Sequence, residues 1–537
     1  MSLMSGLYVG ATGLRTSQNA LNTVAHNLSN VETEGYTRQQ VTQADNIYNT
    51  ISYQYAGVSR QQVGLGVYFS ETKRVRDVFL DRTYRQENGR CSFYEVQTEA
   101  VEEIEDIIGE MQGEDFEQAL VNLWETVQEL AKDPTSSVNQ SAFVRRAAQF
   151  VERSNAVYTA LSDYQDDMNL TVKKYVDQIN EYGQKIKELN DKIVSIESAG
   201  VEKANDLKDE RDYYLDELSS LVNISYSEDS WGYVSVKIEG VDFVKNDMVY
   251  EIALETDTDT GFYTPYWKQL ANYTLDQNGN RVYHIEGAEV FDLTKPIDTE
   301  TNTDIGGLKG TLLARGDHRA NYEDLEDSSY YNTYIEPSII MNFQAEFDQL
   351  VSSIVTSINE VLANASDADT GYLWNADTNS PLQLFVQVSP DTGSSLDKGW
   401  TTANIDINTE LVQQPGLLGF MRADGKADYD TTEALAMLFE EQKYYLNPNT
   451  TSPTTFTGYY TDMVSQLANE GSVYRSITVT QQQTALSAEN ARTQVVGVSS
   501  DEELQFMIMF QNAYNASSRY INALSEMLAT LINTMGA

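Results

Sequence analysis

The chain has 537 residues, 41% of them apolar, enough to bury a sizeable core spread over roughly three to four domains. Its 81 acidic and 36 basic residues leave a formal charge of −45, which repels phosphate backbones and anionic bilayers and argues against nucleic acid as a partner. One cysteine, Cys91, excludes an internal disulfide, and without a run of about 18 apolar residues no membrane insertion is expected. The first ten residues, MSLMSGLYVG, have neither a basic n-region nor a continuous apolar h-region, so no cleaved secretory signal is expected.

Residues 3–31 read as one amphipathic helix that stops near Glu34-Gly35. Within it Leu7, Leu14, Leu21 and Leu28 fall seven apart, with Ala11 and Ala25 between them and Gln18 as a gap. Residues 36–75, rich in Tyr, Val, Gln and Thr, read as extended chain or short strands, and 76–110 as helix. A helical block follows over 114–131, 138–199 and 202–223, punctuated by Asp133-Pro134 and Gly200. Its stripe of Ile179, Tyr182, Ile186, Leu189, Ile193 and Ile196 is read as core packing within a bundle.

The period changes from about 3.6 to 2 near Asn223, and turn signals follow at Glu239-Gly240, Thr260-Gly261 and Asn278-Gly279, so 224–330 reads as β-rich. Helix resumes at Pro337 and runs to about Ala365. Residues 370–425 are mixed, with strand-like 382–388 and 403–407; 430–446 looks helical and 447–457 is a Thr/Pro/Asn-rich loop. Helix then runs from about 459 to the end with a break at Gly497–Ser500. Near the C-terminus Met507, Phe510, Tyr514, Ile521, Leu524, Leu528, Leu531 and Met535 recur at steps of three and four, broken only at Ser517.

Steps averaging 3.5 residues keep one stripe toward a partner helix. Both chain ends carry such a seam, so they are expected to pair with each other or with other copies. The expected fold class is mainly α with an inserted β part: paired N- and C-terminal coiled-coil helices, a long helical bundle body and a β-rich outer domain. The expected domains are 1–92 with 475–537 as a terminal helical, tube-forming domain and connector; 93–223 with 337–474 as the helical body, including a small mixed part at 370–425; and 224–336 as the β-rich insert. Charge follows this division. Residues 1–90 hold nine Lys/Arg against seven Asp/Glu and residues 471–537 three against five, so nearly all the net charge lies between them. Like ends can therefore approach like ends, while the middle is strongly solvated.

No catalytic constellation emerges. The three histidines, His26, His284 and His318, lie near no cysteine and in no HExxH spacing, and His26 reads as a helix-surface group. The glycines of Val63-Gly64-Leu65-Gly66 lack the third glycine and following helix of a nucleotide loop. Asp257, Asp259 and Gly261 begin like a calcium loop but lack its other ligands. No catalytic residue, metal site or cofactor is expected, and the chain is read as a non-enzyme.

Four stretches carry a resemblance. Residues 25–39, with Asn27, Leu28, Asn30, Gly35, Tyr36, Arg38 and Gln39, are similar to the N-terminal signature of the bacterial flagellar axial proteins. Residues 64–85 and 204–212 resemble the hook-associated members in particular. Residues 501–516, with Gln511, Ala513 and Tyr514, and Glu526-Met527-Leu528 resemble the terminal helix that the axial proteins share. Departures are Glu34 where proline is commoner and His26 where asparagine is commoner; Gly35 still supplies the positive φ of the turn.

The resemblance implies a secreted, extracellular structural subunit of the bacterial flagellum, exported by the flagellar type III apparatus. It implies self-assembly into a ring zone at the hook–filament junction. The implied partners are the hook protein, a second junction protein and a flagellar export chaperone at the C-terminal helix. The alternatives weighed are a hook or rod axial subunit and a secreted adhesin whose β domain is a binding surface. The helical block at 114–223 argues against the first, while the 34 tyrosines suit an adhesive surface and sheet cores equally well.

Overall fold

The computed structural model describes residues 3–53, 60–109, 115–200, 203–275, 281–375, 379–388, 399–422 and 424–535. In chain order the longer elements are α1 (Leu3–Ser29), β1 (Gln39–Asp45), β2 (Tyr48–Tyr53), β3 (Arg60–Gly64), β4 (Val67–Arg74), α2 (Val78–Gly109), α3 (Phe116–Lys132), α4 (Ser137–Glu197) and α5 (Asn205–Leu221). The strands β5 (Ile224–Glu228), β6 (Val234–Ile238), β7 (Val241–Lys245), β8 (Met248–Val249), β9 (Ile252–Thr256), β10 (Tyr263–Trp267), β11 (Asn272–Leu275) and β12 (Arg281–His284) follow. Then come α6 (Gly307–Arg315), α7 (Ile339–Ala365), α8 (Tyr429–Leu438), α9 (Phe456–Val496) and α10 (Ser500–Met535). Long terminal helices that pack on each other, with small sheets in the middle of the chain, make the fold mainly α with inserted β.

Two compact units divide the chain. One takes residues 1–89, 178–251 and 482–537, the other 90–177 and 252–481. The stretch 224–336 is shared: β5–β8 fall in the first unit and β9–β12 in the second.

In the first unit, α1 and α10 run antiparallel along each other. β1 pairs with β4 and β2 with β3, all antiparallel, and the β1/β4 register slips between Thr42 and Gln43. Gly66, at φ +93°, lets the start of β4 lie against α1, where a Cβ would collide with the Thr12 hydroxyl. β5–β8 form a meander on the end of α4. There Ile179, Ile186, Leu189 and Ile193 are buried, whereas Ile196, the last step of that stripe, is exposed. Asn190, fully buried, stands in for a strand backbone: its amide donates to the Val234 carbonyl at 2.9 Å and accepts from the Val234 N–H at 3.1 Å.

In the second unit, α3, α7, α8 and the described parts of α2, α4 and α9 that belong to it close around Phe116, Phe143, Phe150, Phe347, Ile354, Leu435 and Phe456. Two sequence expectations are corrected here. The β-rich reading of 224–330 extends too far, because β12 is followed by α6, every residue of which is buried. Its sequence carries two glycines and a threonine where helix-formers would be expected, and burial rather than propensity holds it; Gly310 lets it approach the Phe93 backbone. The helix expected over 430–446 stops at Leu438. Beyond it Tyr444 bridges Thr454 and stacks on Phe456 at 4.2 Å, and Pro448 disfavours helix in the residue before it. The turn expected at Asn278-Gly279 lies outside the described residues.

The same unit buries carboxylates. Glu346 on α7, 2% exposed, accepts from the amides of Asn447 (2.9 Å) and Gln466 (3.3 Å). Burial pushes its carboxyl up to about 8, with the charge of Glu470 adding to the shift. A carboxyl raised in the folded state keeps a proton that the unfolded chain releases, so its contribution to stability falls as pH rises from about 4 through 8. Glu346→Gln is expected to flatten that part of the stability–pH profile and to gain about 1–3 kcal/mol at pH 8, read by denaturant titration at pH 5 and pH 8. An unchanged profile would remove Glu346 as the source.

Candidate functional site: the paired chain ends

The contact between α1 and α10 is built from small residues. Gly6, Gly10, Gly13, Ser17, Ala20, Val24 and Asn27 follow one another at steps of four and three, and all but the half-buried Gly13 are buried. A Cβ on Gly6 would lie 3.0 Å from Leu524, on Gly10 2.7 Å from Ile521 and on Gly13 3.0 Å from the Ser517 hydroxyl. The glycines thus set how closely the two helices approach. The α10 side of the seam is large where the α1 side is small. Leu524 is buried, Met507, Phe510, Tyr514, Ile521 and Leu528 are half-buried, and Leu531 is exposed; the side chain of Met535 lies outside the described residues.

Leu7, Leu14, Leu21 and Leu28 sit one residue further along the helix than the small stripe, and each is half-buried. Ala11 and Ala25 are exposed. On α10, Ile508, Met509, Met527 and Ile532 are half or more exposed, and on α1 so are Met4 and Tyr8. The pair therefore uses up its small-residue face and leaves apolar side chains facing outward.

The turn after α1 is held by one amide. Buried Asn27 donates to the Gln39 carbonyl (2.9 Å), and its oxygen accepts from the Gln39 N–H (3.0 Å) and the Tyr36 hydroxyl (2.8 Å). It thereby pairs with the first residue of β1 as a strand would. Asn30 donates to the His26 carbonyl at 3.0 Å and closes the helix end. Gly35, at φ +73°, lets the turn lie against Tyr213 of α5. His26 makes an edge contact with the Tyr36 ring and lies 3.3 Å from Asp206, consistent with a surface position. Arg38 fastens the break between α9 and α10: its N–H donates to the Val496 carbonyl (2.9 Å) and its guanidinium to Glu503 (3.0 Å) and Glu502 (3.1 Å). Gln39 donates to Asp206 at 2.8 Å. Gln511 and Ala513 are exposed.

Residues from separate stretches then meet around Asp212 of α5. Arg74 donates to Asp212 (2.7 Å) and Asp209 (2.8 Å), and Arg76 bridges Asp212 and Asp81. Arg85 donates to Asp216 at 2.6 Å, as does Arg492 from α9, which also stacks on Tyr84 at 3.9 Å. Burial pushes the Asp212 carboxyl up, but Arg76, Arg74 and Arg85 outweigh it and hold it well below the usual carboxylate range. Asp209, with one arginine against its burial, goes the other way. Apart from Arg76 and Asp81, which are five positions apart, the partners lie more than a hundred positions apart, so no local charge pattern paired them.

Among the described residues no group of three or more His, Cys, Asp or Glu is placed to hold a metal. Asp257 accepts from the backbone N–H groups of Asp259 (2.7 Å) and Thr260 (3.2 Å), an Asx turn. Nor is any described helix long and apolar enough to cross a membrane.

Gly10→Val is expected to cost about 1–3 kcal/mol by overpacking against Ile521, read as loss of hydrogen-exchange protection along α1. Protection equal to the parent would mean that the helices are not held at this distance by Gly10. Asp212→Asn leaves three arginines short of a carboxylate and is expected to cost on the order of 3–5 kcal/mol at pH 7. Since the folded carboxyl is depressed, its contribution is present above about pH 4 and is lost as pH falls through the folded value, so parent and variant should converge in acid. A gap that persists unchanged in acid would point to packing instead.

Comparison with known proteins places the chain. The family model for the flagellar hook-associated protein FlgK helical domain matches residues 101–373, that for the flagella basal body rod protein residues 7–37, and that for the flagellar basal body rod FlgEFG protein C-terminal region residues 492–534. The flagellar hook-associated protein 1 of Bacillus subtilis is 25% identical over 539 residues, covering 100% of this chain and 99% of that protein. Its counterpart in Escherichia coli is 22% identical over 99% of this chain and 100% of that protein. A solved structure, the flagellar hook junction protein FlgK from Burkholderia pseudomallei, is similar at 19% identity and a TM-score of 0.40, over 58% of this chain and 47% of that one. The last two family models cover the two helices that pair here, and the first covers more than half of the sequence: the chain belongs to the flagellar hook-associated protein FlgK family.

Proposed function

We propose that the chain is a structural subunit of the bacterial flagellum, assembling through its terminal helices as the junction zone between hook and filament. The observation that carries this reading is the α1/α10 pair. Its small-residue seam is consumed within the chain, while Leu7, Leu14, Leu21 and Leu28 and the exposed Ile508, Met509 and Met527 remain for neighbours. Each apolar side chain fully covered contributes on the order of 1.5–3 kcal/mol, and a closed ring repeats every contact. The near-neutral ends can be brought together, whereas the acidic middle of the chain is better kept apart. The name of its full-length relatives, flagellar hook-associated protein 1, agrees with this place.

On this reading the chain leaves the cell through the flagellar type III apparatus and meets the hook protein on one side and a second junction protein on the other. The apolar face of α10 is the surface an export chaperone would cover. The chain acts by position and performs no chemistry.

Deleting the gene in its host tests the proposal. Bare hooks, with flagellin lost to the medium, are the expected result. Missing hooks would move the chain to a rod or hook subunit, and normal filaments would end the structural reading.

A further inference from the structure

Beside the turn that follows α1 lies a surface pocket of about 370 Å³. Tyr36, His26 and Tyr213 wall it, Gly35 lies between the two tyrosines, and Glu34 and Glu210 stand at its rim. Asp206, which also lines it, is taken by His26 and Gln39. Glu34 and Glu210 are exposed and have no hydrogen-bond or ion-pair partner among the described residues. An aromatic wall with free carboxylates at its mouth fits a long cationic side chain: the stem lies on the rings, the cation over a tyrosine face and against the carboxylates.

The same unit carries such a side chain without a partner. Arg15 on α1 is exposed and makes no ion pair among the described residues. Helix α1 contains no carboxylate, and neither does α10 from Leu504 to Ser525. Arg15 therefore has nothing to neutralise it on its own helix pair. Arg15 cannot reach the pocket of its own chain: it stands eleven residues before His26, about 16 Å along the helix at 1.5 Å per residue.

We propose that the pocket between Tyr36 and Tyr213 receives Arg15 of a second copy. The inference rests on the self-assembly reading above and deepens it: apolar faces give the association of terminal helices its strength, and this contact fixes the offset of one copy along the next.

The test uses the full chain in its flagellated host. Arg15→Glu and Glu210→Arg are each expected to cause a several-fold loss of cells bearing filaments, and the double variant to restore them. Both positions are exposed, so the purified variants should melt with the parent. In an otherwise native chain, Gln18→Cys with Thr33→Cys should give disulfide-linked dimers when isolated flagella are oxidised, while Cys91 stays buried and outside the reaction. Normal filaments in both single variants, a double variant no better than either single, or isolated flagella without linked dimers would overturn the contact. These outcomes are separate from failure of the assembly reading, which the gene deletion reports by leaving filaments normal.

Discussion

Asp212 is the point on which the first unit turns. Three arginines from the connector and from α2 reach it, and α5 and α9 are tied in through its neighbour Asp216. The connector has little else to fix its place: β1 and β4 form a two-stranded ribbon, a size that is marginal alone. Charge does the positioning instead, and a buried network of this kind is expensive to leave half-made. The connector must sit in one arrangement or lose several ion pairs together.

From that anchor the chain ends are oriented in steps. Arg74 ends β4, β4 pairs with β1, and Asn27 holds the start of β1 to the end of α1. Arg38 fastens the start of α10. The seam between the two helices then closes without large side chains on the α1 side. The leucines beside it are left half-covered by their own chain, a partition that would be wasteful in a monomer.

Much of this was legible in the sequence. The terminal helices, the extended connector, the break at Gly497–Ser500 and the change of period at Asn223 all follow from periodicity and turn residues. The seam of α1 did not. A search for recurring leucines finds Leu7 to Leu28, yet the residues facing α10 lie one position earlier, where glycine and serine carry no hydrophobic signal. The step pattern of 3.5 was equally present there; only its chemistry hid it. Helix α6 was missed for a related reason, since propensity speaks against it and burial decides. At Asn27 and Arg38 the resemblance pointed to residues whose work could be understood only once their backbone partners were in view. The Asp212 network joins positions too distant for any local pattern to link.

The glycines of α1 carry a cost as well as a fit. Gly6, Gly10 and Gly13 each weaken an isolated helix by about 1 kcal/mol relative to alanine. Helix α1 thus owes its form to α10, and the stretch that grips most closely in place is also the stretch that straightens most cheaply when its partner is withdrawn. In a helix made this way the docking itself supplies the winding.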